Sequence, residues 1–154
     1  MTHAGGSPWE SPGFLLWHAT LRWQRATAAA LRPFGLTHVQ FVLLASTWWL
    51  GEQGDAPSQR QLAEHCGTDP MMTSQVARTL EAKGLVTRKV DPADSRARRM
   101  KVTPAGRKLA PRAIAAVEAT DRAYFDRVSD QPGLAPLLKM LATPPGHRDS
   151  EGPL

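Results

Sequence analysis

Gly67 and Gly84 bracket a stretch with little conformational choice, "TDPMMTSQVARTLEAKG". Thr68 or Asp69 can cap a helix start, and Pro70 fits its first turn, where the missing N–H costs nothing. Gly84 stands where a helix end favours a left-handed residue. Ahead of it, "PSQRQLAEHCG" begins with Ser58 as a cap and stops at Gly67. The spacing therefore predicts two short helices joined by a tight turn at Gly67.

Next come "LVTRKV" (85–90) and "RMKVT" (99–103), which alternate apolar and polar residues around "DPADSRAR". This alternation predicts a two-stranded hairpin. Arg88, Lys89, Arg96, Arg98, Arg99 and Lys101 crowd it, with Asp91 and Asp94 among them. Two short helices and a basic hairpin predict a winged helix-turn-helix, whose second helix enters the major groove while the hairpin reaches along the backbone. At about 100° per residue, Thr73, Val76, Ala77 and Leu80 share one helix face. Met71, Ser74, Gln75 and Arg78 share the other. That set offers hydrogen-bonding groups, a cation and an apolar contact for a thymine methyl. Arg96 is placed to enter a narrow minor groove. Asp94 is expected to hold the loop by pairing with a stem arginine or with turn N–H groups.

The flanks are mostly helical. Phe14, Trp17, Leu21, Gln24, Ala28 and Leu31 recur at helical spacing, predicting a helix over 13–32 closed by Pro33 and Gly35. Thr37 caps a second, with Phe41, Leu44, Ala45 and Trp48 in one stripe, Val42 and Trp49 beside it, and Gly51 and Gly54 at its end. Thr103 caps a long helix beginning at Pro104, and Pro111 predicts a kink or break near 108–111. A short apolar helix covers 134–142. Phe14, Leu15, Leu16, Leu21, Leu134, Leu137, Leu138 and Leu141 are too much apolar surface for a lone domain to leave in water. They predict a two-fold dimer built from 13–32 and 112–142. The fold class is thus mainly α with a small β-hairpin wing. A winged domain over 37–103 joins a helical dimerisation region over 13–36 and 104–142, with flexible tails at 1–12 and 143–154.

"LAEHCGTDPMMTSQVARTLEAKGLVTRKVDPADSRARRMKVTPAGRKL" resembles the DNA-binding core of the MarR family of bacterial transcription regulators. "LEAKGLV", "DPADSRAR" and "VTPAG" carry the likeness. The resemblance implies a homodimer whose first and last helices interlock, with two wings on a pseudo-palindromic operator. It places Asp94 and Arg96 at the family's wing aspartate and wing-tip arginine. Ser95 stands where members often have a second arginine, with Arg98 and Arg99 to compensate, and Pro104 replaces a commoner acidic or polar residue. The expected DNA-binding set is Met71, Ser74, Gln75, Arg78, Arg88, Asp94, Arg96, Arg98 and Arg99. Family effectors, often small aromatics or phenols, bind between dimer helices and winged domain. Trp17, His18, Trp48 and Trp49 could line such a pocket, although core and dimer packing is the favoured account of these aromatics.

The net charge of +5 fits an anionic partner. The single cysteine, Cys66, allows no internal disulfide and is expected to be a packed, inert thiol. The histidines (His3, His18, His38, His65, His147) form no H-x-x-x-H, so no metal site is expected. Neither G-x-S-x-G nor G-x-x-x-x-G-K-[ST] occurs, and no enzyme or cofactor is expected. No apolar run approaches the ~20 residues of a membrane span. No secretion signal is read at the N-terminus, so a cytoplasmic protein is expected. The leading expectation is a DNA-binding repressor released by a ligand. The alternatives are a protein-docking winged helix, which has no use for a basic wing, and a small-molecule-binding protein built around the tryptophans.

Overall fold

The computed structural model describes residues 6–145. After a 3-10 turn at Pro8–Glu10 come α1 (Pro12–Leu31), a 3-10 turn at Arg32–Phe34, and α2 (His38–Gln53). Then follow α3 (Gln59–Cys66), α4 (Pro70–Ala82), β1 (Val86–Asp91), β2 (Asp94–Val102), α5 (Pro104–Phe125) and α6 (Leu134–Ala142). A further 3-10 turn, Asp126–Val128, closes α5.

Local chemistry sets most boundaries. Thr37 and Ser58 each accept from the backbone three residues on, while Gln40 and Gln61 return the bond, closing a capping box at α2 and at α3. Asp69 accepts the Met72 N–H at 2.9 Å and is the cap of α4. Gly67 adopts φ 67°, a left-handed conformation that turns the chain from α3 into α4.

One core unites the winged part with the long helices. Leu31, Leu43, Leu44, Leu62, Leu80 and Met100 are fully enclosed, with Val86, Ala110, Ala113 and Val117 packed among them. Each such leucine contributes roughly 1.5–3 kcal/mol relative to an exposed one. α5 starts against the hairpin: Thr103 caps it, accepting from Gly106 and donating to the Gly84 carbonyl at 2.6 Å. Lys83, at the end of α4, donates to the Gly35 carbonyl and to Gln40 Oε1, tying α4 to the α1–α2 junction.

The structure departs from the periodicity at four places. On α1 the buried residues are Thr27 and Leu31, while Trp17, Gln24 and Ala28 of the expected stripe are exposed. The chain packs α1 against α5 through Trp23, whose Nε1 donates to Asp121 at 2.8 Å. α2 runs on through Gly51 to Gln53, since a helical glycine costs only about 1 kcal/mol. α5 is unbroken at Pro111, although that proline cannot donate to the Arg107 carbonyl. Buried Ala110 and Ala113 on either side hold the helix in place. The segment expected as a hairpin loop is mostly strand, described below. The expected flexible tails lie partly on residues 1–5 and 146–154, outside the described residues; within the first, residues 8–10 form the 3-10 turn.

Leu15, Leu16, Trp17, Leu137, Leu138, Met140 and Leu141 are exposed on α1 and α6, and α6 buries no residue. Among the described residues no single helix is long and apolar enough to cross a membrane.

Candidate nucleic-acid interface

α4 is amphipathic in the expected sense. Thr73, Ala77 and Leu80 are buried and Val76 is half-buried. On the opposite side Met71 (81% exposed), Gln75 and Arg78 face solvent, with Ser74 half-buried beside them. The inner face is anchored by polar bonds as well. Thr73 donates to the Asp69 carbonyl at 2.8 Å and meets Thr68 Oγ1 at 2.7 Å.

The hairpin is tighter than the sequence pattern implied. β1 and β2 pair in register from Val86↔Val102 to Val90↔Arg98, and then jump to Asp91↔Asp94. Only Pro92 and Ala93 form the turn, while Ser95, Arg96 and Ala97 bulge from β2 without a partner on β1. Arg96 therefore projects from a bulge on a strand, not from a loop tip.

Each carboxylate fixes one part of this shape. Asp91 Oδ1 accepts the Ala93 N–H at 2.9 Å and sets the turn, while Asp94 Oδ1 accepts the Arg96 N–H at 2.9 Å and holds the bulge. The Ala93 N–H is the chief cause of a lowered Asp91 pKa; burial opposes it, and the bond and charge of Arg99 add to it. The sequence had offered a stem arginine or backbone N–H groups as partners for Asp94; the backbone is the partner found.

The arginines divide into two groups. Arg96 is exposed and Arg98 is half-buried beside it; they line a cleft of about 400 Å³ with Asp94, Ser58, Gln59, Arg60 and Pro70. Arg88 and Arg99 instead bond within the protein. The Arg88 side chain is 14% exposed; its Nε donates to Gln59 Oε1 at 2.7 Å, and its guanidinium lies 3.8 Å from Glu81. Arg99 Nε donates to Asp91 Oδ2 at 2.7 Å and its NH1 to the Ala56 carbonyl at 2.7 Å.

Two neighbours, Arg60 and Gln59, were missed in the sequence, and the bonding role of a third, Asp91, was not assigned. Arg60 sits on α3 beside the wing, paired with Glu64 at 3.3 Å on an exposed face. Gln59 receives Arg88 across 29 residues, a contact no local pattern signals. Asp91 was noticed for its charge, and the D-P-x turn around it was the legible clue.

The four aromatic candidates are dispersed. Trp17 is 62% exposed. His18 packs with Trp9 and Phe14, and Trp49 stacks on His65 at 5.9 Å. Trp48 lines a cavity of about 320 Å³, shared with Thr47, Glu52, Met100, Lys101 and Arg107. Cys66 is half-buried, its Sγ donating to Ser46 Oγ at 3.4 Å. Burial pushes the thiol pKa up, with Ser46 opposing. Among the described residues no three His, Cys, Asp or Glu side chains form a metal-binding group.

Two short helices meeting at a left-handed glycine, followed by a basic hairpin packed against both, define a winged helix-turn-helix protein. Residues 36–98 match the MarR family. The uncharacterized HTH-type transcriptional regulator YdcH of Bacillus subtilis is 45% identical over 118 residues, 77% of this chain and 80% of that one. The HTH-type transcriptional repressor Rv2887 of Mycobacterium tuberculosis is 33% identical over 76% of this chain and 81% of its own. The crystal structure of Rv2887 in complex with DNA superposes with a TM-score of 0.66 and 30% identity, over 86% of this chain and 98% of that one. Its complex with salicylic acid gives 0.61 and 31%, over 90% and 96%. CouR of Rhodococcus jostii RHA1, bound to p-coumaroyl-CoA, gives 0.77 and 27%, over 94% and 100%. The chain belongs to the MarR family of transcription regulators.

Proposed function

We propose that this protein is a homodimeric, cytoplasmic repressor that binds a pseudo-palindromic double-stranded operator and leaves it when a small ligand binds. α4 lies in the major groove, with Met71, Ser74, Gln75 and Arg78 toward the bases. Arg96 enters the adjacent minor groove and Arg98 supports it from the cleft. Arg60 on α3 joins them as a phosphate contact. The single observation that carries the reading is the bulge of β2. It projects Arg96, exposed, into the cleft that the wing shares with Arg60 of α3 and Pro70 at the start of α4, and a carboxylate bonded to the arginine's own N–H fixes its shape. A wing that docked a protein would have no need of this cationic front.

The effector part rests on the relatives crystallised with salicylic acid and p-coumaroyl-CoA. Trp48 is the reporter of choice, since its cavity adjoins the wing base.

Selecting duplexes from a random pool tests the reading directly. One pseudo-palindromic sequence should be enriched, and Arg78→Ala and Gln75→Ala should each weaken binding to it by about 1–3 kcal/mol. A pool returned without enrichment, or full affinity and preference in either variant, would reject the assigned groove face.

A further inference from the structure

Arg99 lies on the basic hairpin and, by charge alone, counts as one more DNA contact. Its surroundings give it a different task. The Ala56–Ser58 segment, ahead of α3, runs alongside β2: the Met100 N–H donates to the Pro57 carbonyl at 2.8 Å, and Ser58 and Arg99 form an isolated antiparallel bridge. Arg99 adds side-chain bonds to this backbone contact. One guanidinium reaches the Ala56 carbonyl and Asp91 Oδ2, both at 2.7 Å. Asp91 is 8% exposed, and its other oxygen holds the turn through Ala93. A chain of bonds thus runs from the α2–α3 connection through Arg99 and Asp91 to the tip of the wing.

We propose that Asp91 and Arg99 form a latch that fixes the wing against the Ala56–Ser58 segment, and so sets where Arg96 stands relative to α4. They are positioning residues for DNA binding, not contacts. Two donors in one planar fork satisfy a carboxylate and a carbonyl together. An ammonium at the same position is a point donor and cannot hold that geometry. A latched wing is ordered before DNA arrives, whereas a free one loses entropy on docking. The latch rests on the DNA-binding reading above, and the two fail differently: without an enriched duplex that reading falls, whereas the latch is tested on a duplex the wild-type protein has already selected.

On that duplex, binding is measured across a salt series for Arg99→Ala, Arg99→Lys, Asp91→Asn, Arg96→Ala and the double variant Asp91→Asn/Arg96→Ala. The temperature is kept where circular dichroism shows each protein folded. The latch requires Arg99→Lys to lose affinity about as much as Arg99→Ala, by roughly threefold to tenfold, with the salt slope unchanged. Asp91→Asn, which removes a negative charge near a polyanion yet keeps an acceptor for Ala93, should still weaken binding. Arg96→Ala should cost less in the Asp91→Asn background, because an unlatched wing already presents Arg96 poorly. A contact role predicts otherwise: Arg99→Lys would retain affinity and Arg99→Ala would reduce the salt slope by about one unit. That pair of results overturns the proposal. So does tighter or unchanged binding by Asp91→Asn, or strict additivity in the double variant.

Discussion

Asp94 places a negative charge beside Arg96, on the hairpin proposed above to face a polyanion. Long-range electrostatics alone makes its removal favourable for binding. The bond from the Arg96 N–H to Asp94 Oδ1 argues the reverse, since without it the three-residue bulge loses its internal tie. Asp94→Ala is expected to bind the operator more weakly than wild type, and Arg96→Ala to reduce the salt slope by about one unit. Tighter binding by Asp94→Ala in a titration at fixed salt would reduce that carboxylate to a solvated turn residue. His38 is a second instructive residue. It packs edge-on to Trp23 at 5.0 Å, and burial lowers its pKa while Asp121 opposes. The unfolded chain therefore takes up this proton at a higher pH than the folded one. The stability it contributes is present above the unfolded value near 6.5 and is lost as pH falls toward the lowered folded value. The melting temperature should decline from about pH 7.5 to about pH 5.5, with a shallower decline in His38→Gln. Equal slopes in the two proteins would remove His38 from the account.

The elements were legible where their ends have local causes. Thr37, Ser58, Pro70, Gly67, Gly84 and Thr103 mark boundaries through side-chain caps, a fixed φ or a left-handed turn, and all stand where the pattern put them. Close approaches between elements were not legible. Gly106, three residues into α5, reads as a mild helix-breaker. A Cβ there would lie 2.0 Å from the Leu85 carbonyl oxygen, which already accepts the Thr103 N–H. Gly106→Ala must push α5 away from the start of β1. It should cost about 1–3 kcal/mol, although alanine is the better helix former. A melting temperature equal to or above wild type would mean that the helix start yields freely. Pro111 is the converse: a residue that breaks helices in isolation is carried through because buried alanines flank it.

At the scale of the whole molecule, the exposed leucines of α1 and α6 are the surface we propose for the dimer interface. α6 buries nothing within the chain, yet Leu137, Leu138, Met140 and Leu141 stand on it in water. A patch of this kind marks an interface. Light scattering at micromolar concentration should return twice the 16.8 kDa chain mass. Leu137→Lys/Leu141→Lys should shift the protein toward monomer and weaken operator binding, because two half-sites are then no longer held together. A wild-type monomer, or an unaltered dimer in that variant, would contradict the placement of the interface.

By itself the sequence determined the helix and strand order, the caps, the facing of α4 and the basic hairpin, because each depends on residues a few positions apart. Caps, turns and the 3.6-residue period are short-range physics. Only the tertiary structure decided which charges are free. Arg88, Arg96, Arg98 and Arg99 look alike in sequence, yet Arg96 projects from a bulge while Arg88 and Arg99 close bonds to Gln59 and Ala56, 29 and 43 residues away. A guanidinium takes its role from the acceptors within its reach, and in a folded chain those acceptors are chosen by packing rather than by neighbouring sequence. The same holds for α1, where Trp17, Gln24 and Ala28 of the periodic stripe face outward while Leu31 is buried, and Trp23 docks the helix on α5 through Asp121.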